Sequence, residues 1–181
     1  MKKSCISFLI FLILIVSAIG ISLPKAVDYK EEYLRIHIRA NSSSESDQAV
    51  KYLIKERVVN YLTPYLSKCD TKVKAVETLN QKENEIEKIA DEVLAQNGFS
   101  YKSDALIKNE LFPTRVYDKF TLEQGYYDAL IINLGTGEGE NWWCVVYPPL
   151  CFTGEGPNYH YKSKIKEIID NFYINQSKED K

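Results

Sequence analysis

Leu34-Arg35-Ile36-His37-Ile38-Arg39-Ala40 is the stretch from which the fold is read. Leu34, Ile36, Ile38 and Ala40 alternate with Arg35, His37 and Arg39. Successive side chains of a strand point to opposite faces, so this period of two predicts a strand with one buried face. Asn41, Ser42, Ser43 and Ser44 end it. The other face, Arg35, His37 and Arg39, reads either as the solvated side of a sheet or as a docking stripe for an acidic partner.

Helical patterning follows. Ser44 with Asp47 fits a capping box, and Val50, Leu53, Ile54, Val58, Tyr61, Leu62 and Tyr65 recur at helical spacing to about residue 66. Pro64 marks a frayed last turn. A second helix is predicted over residues 74–96, with Val76, Leu79, Ile86, Ile89, Ala90, Val93 and Leu94 on its apolar face and Asn97-Gly98 as its left-handed stop. Strands are then expected over residues 104–112, 126–134 and 142–147, the last two joined by a glycine-rich hairpin loop, residues 135–141. Strand, helix, helix, strands is the order of an α+β domain: a mostly antiparallel sheet with two long helices packed on one face. Residues 33–153 form that single domain. Residues 154–181 are a linker and a C-terminal amphipathic helix carrying Ile165, Ile168, Ile169 and Phe172.

Residues 141–152 read Asn-Trp-Trp-Cys-Val-Val-Tyr-Pro-Pro-Leu-Cys-Phe and concentrate costly sequence. Trp142 and Trp143 are adjacent on a strand, so their rings are expected on opposite faces. One serves the core, and the other is a candidate for partner contact. Pro148-Pro149 can turn the chain between Cys144 and Cys151. A bridge closing so short a loop would stabilise by roughly 2–3 kcal/mol; two buried free thiols are the other reading. Cys69 is expected to be unpaired.

Lys2 and Lys3 precede an apolar run from Cys5 to Val16, then small residues at Ser17, Ala18 and Gly20. Residues 1–23 therefore read as a signal peptide or an N-terminal membrane anchor, placing the rest outside the cytoplasm. The formal charge is -2, and removal of two lysines would leave -4. A mildly acidic chain with no basic tract is not expected to bind nucleic acid.

Chemistry is tested next. The glycines Gly135, Gly137 and Gly139 lie among Glu138 and Glu140 and precede a strand rather than a helix, which opposes an anion site. His37 and His160 have no ligand partners at helical or turn spacing, so neither a metal nor a cofactor is expected. His37 with a cysteine would be the one nucleophile–base pair to consider, and nothing local supports it. No catalytic residue is assigned, and the chain reads as a non-enzyme. An exported wall or peptide hydrolase, or a structural envelope protein, is the alternative.

Four motifs carry a resemblance: Leu34-Arg35-Ile36-His37-Ile38-Arg39-Ala40-Asn41-Ser42, then Asp47-Gln48, then Phe112-Pro113-Thr114-Arg115, and Asn141-Trp142-Trp143-Cys144 with Pro148-Pro149-Leu150-Cys151-Phe152. In that order they resemble the stage II sporulation protein R family. The resemblance implies an intercellular signal, exported from the forespore into the intermembrane space. There it would trigger a membrane-embedded aspartic protease of the mother cell, which removes the pro-sequence of sigma-E. On this reading residues 33–153 are the signalling domain, and the N-terminal segment is the point of membrane contact. Arg35, His37, Arg39, Asn41, Trp142 and Trp143 are the candidate partner-contacting residues, with Cys144 and Cys151 as the candidate disulfide.

Overall fold

The computed structural model describes residues 32–117, 120–150 and 169. Among these, the order is β1 (Leu34–Arg39), α1 (Glu45–Leu66), α2 (Lys72–Asn80), α3 (Glu83–Gln96), β2 (Ser103–Phe112), β3 (Arg115–Tyr117), β4 (Phe120–Leu122), β5 (Gly125–Leu134) and β6 (Asn141–Tyr147). Four strands form one mixed sheet in the order β2-β5-β1-β6, and β3 and β4 form a separate hairpin. β1 runs parallel to β5 and antiparallel to β6, while β2 is antiparallel to β5. The architecture is α+β with a mostly antiparallel sheet, as the element order predicts.

Two departures have local causes. The expected long second helix is two helices, because the chain turns at Gln81 and Lys82, where Lys82 N–H donates to Leu79 C=O at 2.8 Å. No proline or glycine marks that break. The loop after β5 is not a hairpin: β1 lies between β5 and β6. The loop instead crosses the end of β1, with Gly139 N–H donating to Ala40 C=O at 2.8 Å. A Cβ at Gly139 would collide with the Ser42 backbone, so close passage requires glycine there.

α1 starts where Ser44 caps the Asp47 N–H at 3.2 Å. Val50, Ile54, Val58, Leu62 and Leu66, four residues apart, are buried, and the helix runs through Pro64 to Leu66. α3 ends in a Schellman turn: Phe99 N–H reaches Leu94 C=O at 3.0 Å and Gly98 takes φ +80. These helices, with Leu34, Ile36, Ile38, Leu130, Ile132 and Leu134 of the sheet, form the larger core. Ile169, helical in the structure, packs against it. The rest of the expected C-terminal helix lies outside the described residues, as do residues 1–23. No helix among the described residues is long and apolar enough to cross a membrane.

The opposite sheet face is covered too. Tyr33, Phe112, Leu122, Tyr127, Ala129, Ile131 and Val145 form a second buried cluster, with Tyr117, Trp143 and Leu150 packed against it. The small hairpin supplies Leu122 and Tyr117 to this layer, so β1 is enclosed on both sides.

Candidate partner-contacting site

The expected basic stripe is mostly interior. Arg35 is 0% exposed and His37 1%, which corrects both the solvated and the docking reading of that face for these two residues. The cause is the second cluster. The Arg35 guanidinium lies 4.2 Å from the centre of the Phe112 ring and 4.8 Å from that of Tyr127. It donates from Nη2 to the Tyr117 hydroxyl at 2.8 Å. Its Nε and Nη1 have no hydrogen-bond partner. Burial draws its pKa below the ordinary value, with Tyr117 and Tyr127 opposing that pull.

His37 stacks on Trp143, ring centres 3.7 Å apart at 22°, and meets the edge of Phe112 at 5.7 Å. Neither ring nitrogen makes a hydrogen bond of acceptable geometry, although the Asn141 side chain approaches closely enough to favour the cation. Burial first, then the Arg39 charge, push the imidazole down to about 3. A neutral ring in an apolar stack, bonded to no thiol or hydroxyl, is not a base poised beside a nucleophile. Trp143 thus belongs to the inner side of this layer, with the Arg115 guanidinium 5.5 Å over its ring. Trp142 packs on the opposite, helix-side core, with Lys55 Nζ 5.9 Å from its ring. The two rings serve opposite faces, as strand geometry requires, and both remain partly exposed.

Arg39 is the stripe residue nearest solvent. It pairs with Glu110 and reaches Asn133 Oδ1 at 3.4 Å. Asn41, just beyond, is a junction. Its Oδ1 accepts from Thr136 N–H at 3.0 Å, and its Nδ2 donates to Asp47 at 3.1 Å. Asp47 is 5% exposed and also accepts from Ser42 Oγ at 2.5 Å and the Tyr101 hydroxyl at 2.6 Å. Burial alone would raise the Asp47 carboxyl; hydrogen bonds from Ser42, Tyr101, Asn41 and Ser44 outweigh it and hold the group below the usual carboxylate range. Nearby, buried Lys51 donates to Gln48 Oε1 at 2.5 Å and to Glu140 C=O at 3.0 Å. Burial lowers its pKa, with Glu140 opposing. The polar run Asn41-Ser42 and Asp47-Gln48 therefore locks the start of α1 to the glycine loop.

Cys144 is disulfide-bonded, while Cys69 is a buried free thiol. Cys151, the expected partner of Cys144, lies outside the described residues. No group of three or more His, Cys, Asp or Glu side chains that could hold a metal occurs among the described residues.

The structure thus gathers Arg35, His37 and Trp143 in one buried layer and separates them from Trp142 and Asn41. Two surface features have no counterpart in the sequence reading. Three carboxylates of α3 line the β2 edge, Glu83, Glu87 and Asp91. Their spacing of four residues was the available signal. Leu111 and Tyr126, paired across β2 and β5, are 47% and 65% exposed.

Residues 30–156 match the family model described as stage II sporulation protein R. The chain is 32% identical over 161 residues to the stage II sporulation protein R of Bacillus subtilis (strain 168), an alignment covering 84% of this chain and 72% of that protein. No solved structure matches it.

Proposed function

The chain belongs to the stage II sporulation protein R family, which gives it a role in sporulation, and we propose that it acts there as an exported signal. On this reading the forespore exports it through residues 1–23 into the intermembrane space. Residues 33–153 then engage a membrane-embedded aspartic protease of the mother cell, which converts pro-sigma-E to its active form. The single observation that carries the proposal is the family match across residues 30–156, which spans every described strand and the first three helices. The organisation of the domain is in keeping with a binding role. Its motif residues are spent on packing Arg35 and His37 and on clamping Asp47, and no residue is assigned to catalysis.

The test is complementation. A sporulating bacterium lacking its own family protein is supplied with the full chain, and conversion of pro-sigma-E is followed by immunoblot. Restored conversion is expected. A well-folded, exported chain that leaves pro-sigma-E unprocessed would remove the signalling role.

A further inference from the structure

Cys144 is disulfide-bonded, and Cys69 is a buried free thiol whose Sγ lies 3.5 Å from Thr78 Oγ1 and 3.6 Å from Tyr65 C=O. The chain has four cysteines, so the bond runs to Cys5 or to Cys151. Cys5 stands next to Lys2 and Lys3, at the end of the apolar run that the positive-inside rule holds in the cytoplasm. Thiols there are kept reduced, while a disulfide persists outside. Export therefore leaves Cys151 as the partner.

The bond lies where the chain changes sides. β6 is an edge strand of the main sheet. Cys144 packs on the helix-side core and is half-buried, so an oxidant can reach it. The register of β6 on β1 shifts near its end: Leu34 faces Tyr147 and Arg35 faces Val145. The extra residue, Val146, re-aims the end of the strand. Val146 and Tyr147 both pack on the helix side, and the Tyr147 hydroxyl donates to Asp70 C=O at 2.8 Å. Leu150, three residues on, packs on the opposite layer with Trp143. Between them the chain crosses the edge of the sheet, turning where Leu150 N–H donates to Pro148 C=O at 2.7 Å. That hydrogen bond closes within the turn and does not tie the turn to the sheet. A covalent link from Cys144 to Cys151, the residue after Leu150, makes that tie. It holds Leu150 against the layer in which Trp143 is partly exposed.

We propose that this bond is a redox switch: the chain leaves the forespore cytoplasm as a dithiol that does not signal, and an exported thiol oxidase completes it by joining Cys144 to Cys151. The reaction is thiol–disulfide exchange. One cysteine, as its thiolate, attacks the oxidase disulfide and forms a mixed disulfide; the other then displaces the oxidase. The two cysteines together lose two electrons and two protons, and the oxidase is left as a dithiol. The inference rests on the exported signalling role and adds a class of partner to it, a dithiol–disulfide oxidoreductase acting before the protease.

The test uses the complemented sporulating cells. Samples are quenched in acid through the time course, free thiols are blocked with maleimide under denaturing conditions, and peptide mass spectrometry reads Cys144. In the full chain Cys144 should carry at least about tenfold less maleimide than in a form lacking residues 1–23, which stays reduced. Bridged chain should accumulate before pro-sigma-E is converted. Cys144→Ser with Cys151→Ser, at matched protein level, should lower conversion by about tenfold or more, as a loss of about 1.4 kcal/mol of binding does. Equal maleimide on Cys144 in the two forms, or conversion while Cys144 is still a thiol, overturns the proposal whatever the serine pair does to folding. So does full conversion by the serine pair. If the unaltered chain itself fails to complement, the signalling role falls, and the maleimide comparison alone judges the bridge.

Discussion

Asp47→Asn probes the polar junction most sharply. The buried carboxylate takes donors from Asn41, Ser42 and Tyr101 at the first turn of α1. Hydrogen bonds to a charged group are worth about 1.5–3 kcal/mol each and neutral ones about 0.5–1.5. Loss of charge therefore weakens each of the three by about 1 kcal/mol. Asparagine's one acceptor oxygen can keep Asn41 and Ser42, while its NH2 forces the Tyr101 hydroxyl to turn round. Loss of negative charge at the helix N-terminus adds about 0.3–1 kcal/mol. The expected cost is about 3–4 kcal/mol, or a midpoint lower by roughly 6–16 °C for a chain of this size. Urea denaturation at pH 7 measures it, and a cycle with Tyr101→Phe measures the coupling, expected at about 1–2 kcal/mol. The sign with pH follows from the lowered carboxyl pKa. Its contribution is complete above the unfolded value of about 3.9 and is lost as pH falls through the folded value. The gap between parent and variant should close in acid. A variant within about 0.5 kcal/mol of the parent at pH 7 would refute the clamp.

Three further outcomes follow from the same packing. Arg35→Met keeps the bulk among Phe112, Tyr127 and Tyr117 and removes a buried cation with two unpaired nitrogens, so stability should hold or rise; a loss beyond about 2 kcal/mol in urea would show that the guanidinium itself stabilises the fold. His37, with its folded pKa pushed down to about 3, contributes fully above pH 6.5 and loses stability as pH falls between those values, by up to about 1.4 kcal/mol per unit. His37→Phe should flatten that decline between pH 7 and 5, and identical declines would contradict the burial. Gly139→Ala should destabilise by about 3 kcal/mol or more, because the added methyl meets the Ser42 backbone, whereas Gly98→Ala, with open space around it, should cost only the strain of its positive φ, about 1 kcal/mol; circular-dichroism melts compare the two.

The frame of the domain was legible where signals are local. Alternation in Leu34–Arg39, the period of four in α1 and the Asn97-Gly98 stop are written in neighbouring residues. The errors arise where distant residues decide. Arg35 and His37 read as a solvated face because a strand's own pattern cannot register Phe112, Tyr127 and Trp143 arriving from other strands to roof it. The glycine loop read as a hairpin because its neighbours are strands, while its true contacts are Asn41 and Ser42, about a hundred residues earlier. The second helix read as continuous because Leu79 and Ile86 stay on one face across the turn at Gln81 and Lys82. For the candidate site, the motifs marked the residues that build the domain, Arg35, His37, Asp47 and Phe112 among them.

The central claim is that this chain signals from outside the cytoplasm. Its most direct measurement is pro-sigma-E conversion in cells making either the full chain or a form lacking residues 1–23, at matched protein levels. The account predicts conversion with the full chain and none with the retained form, which should still fold. Equal conversion by the cytoplasmic form would contradict it.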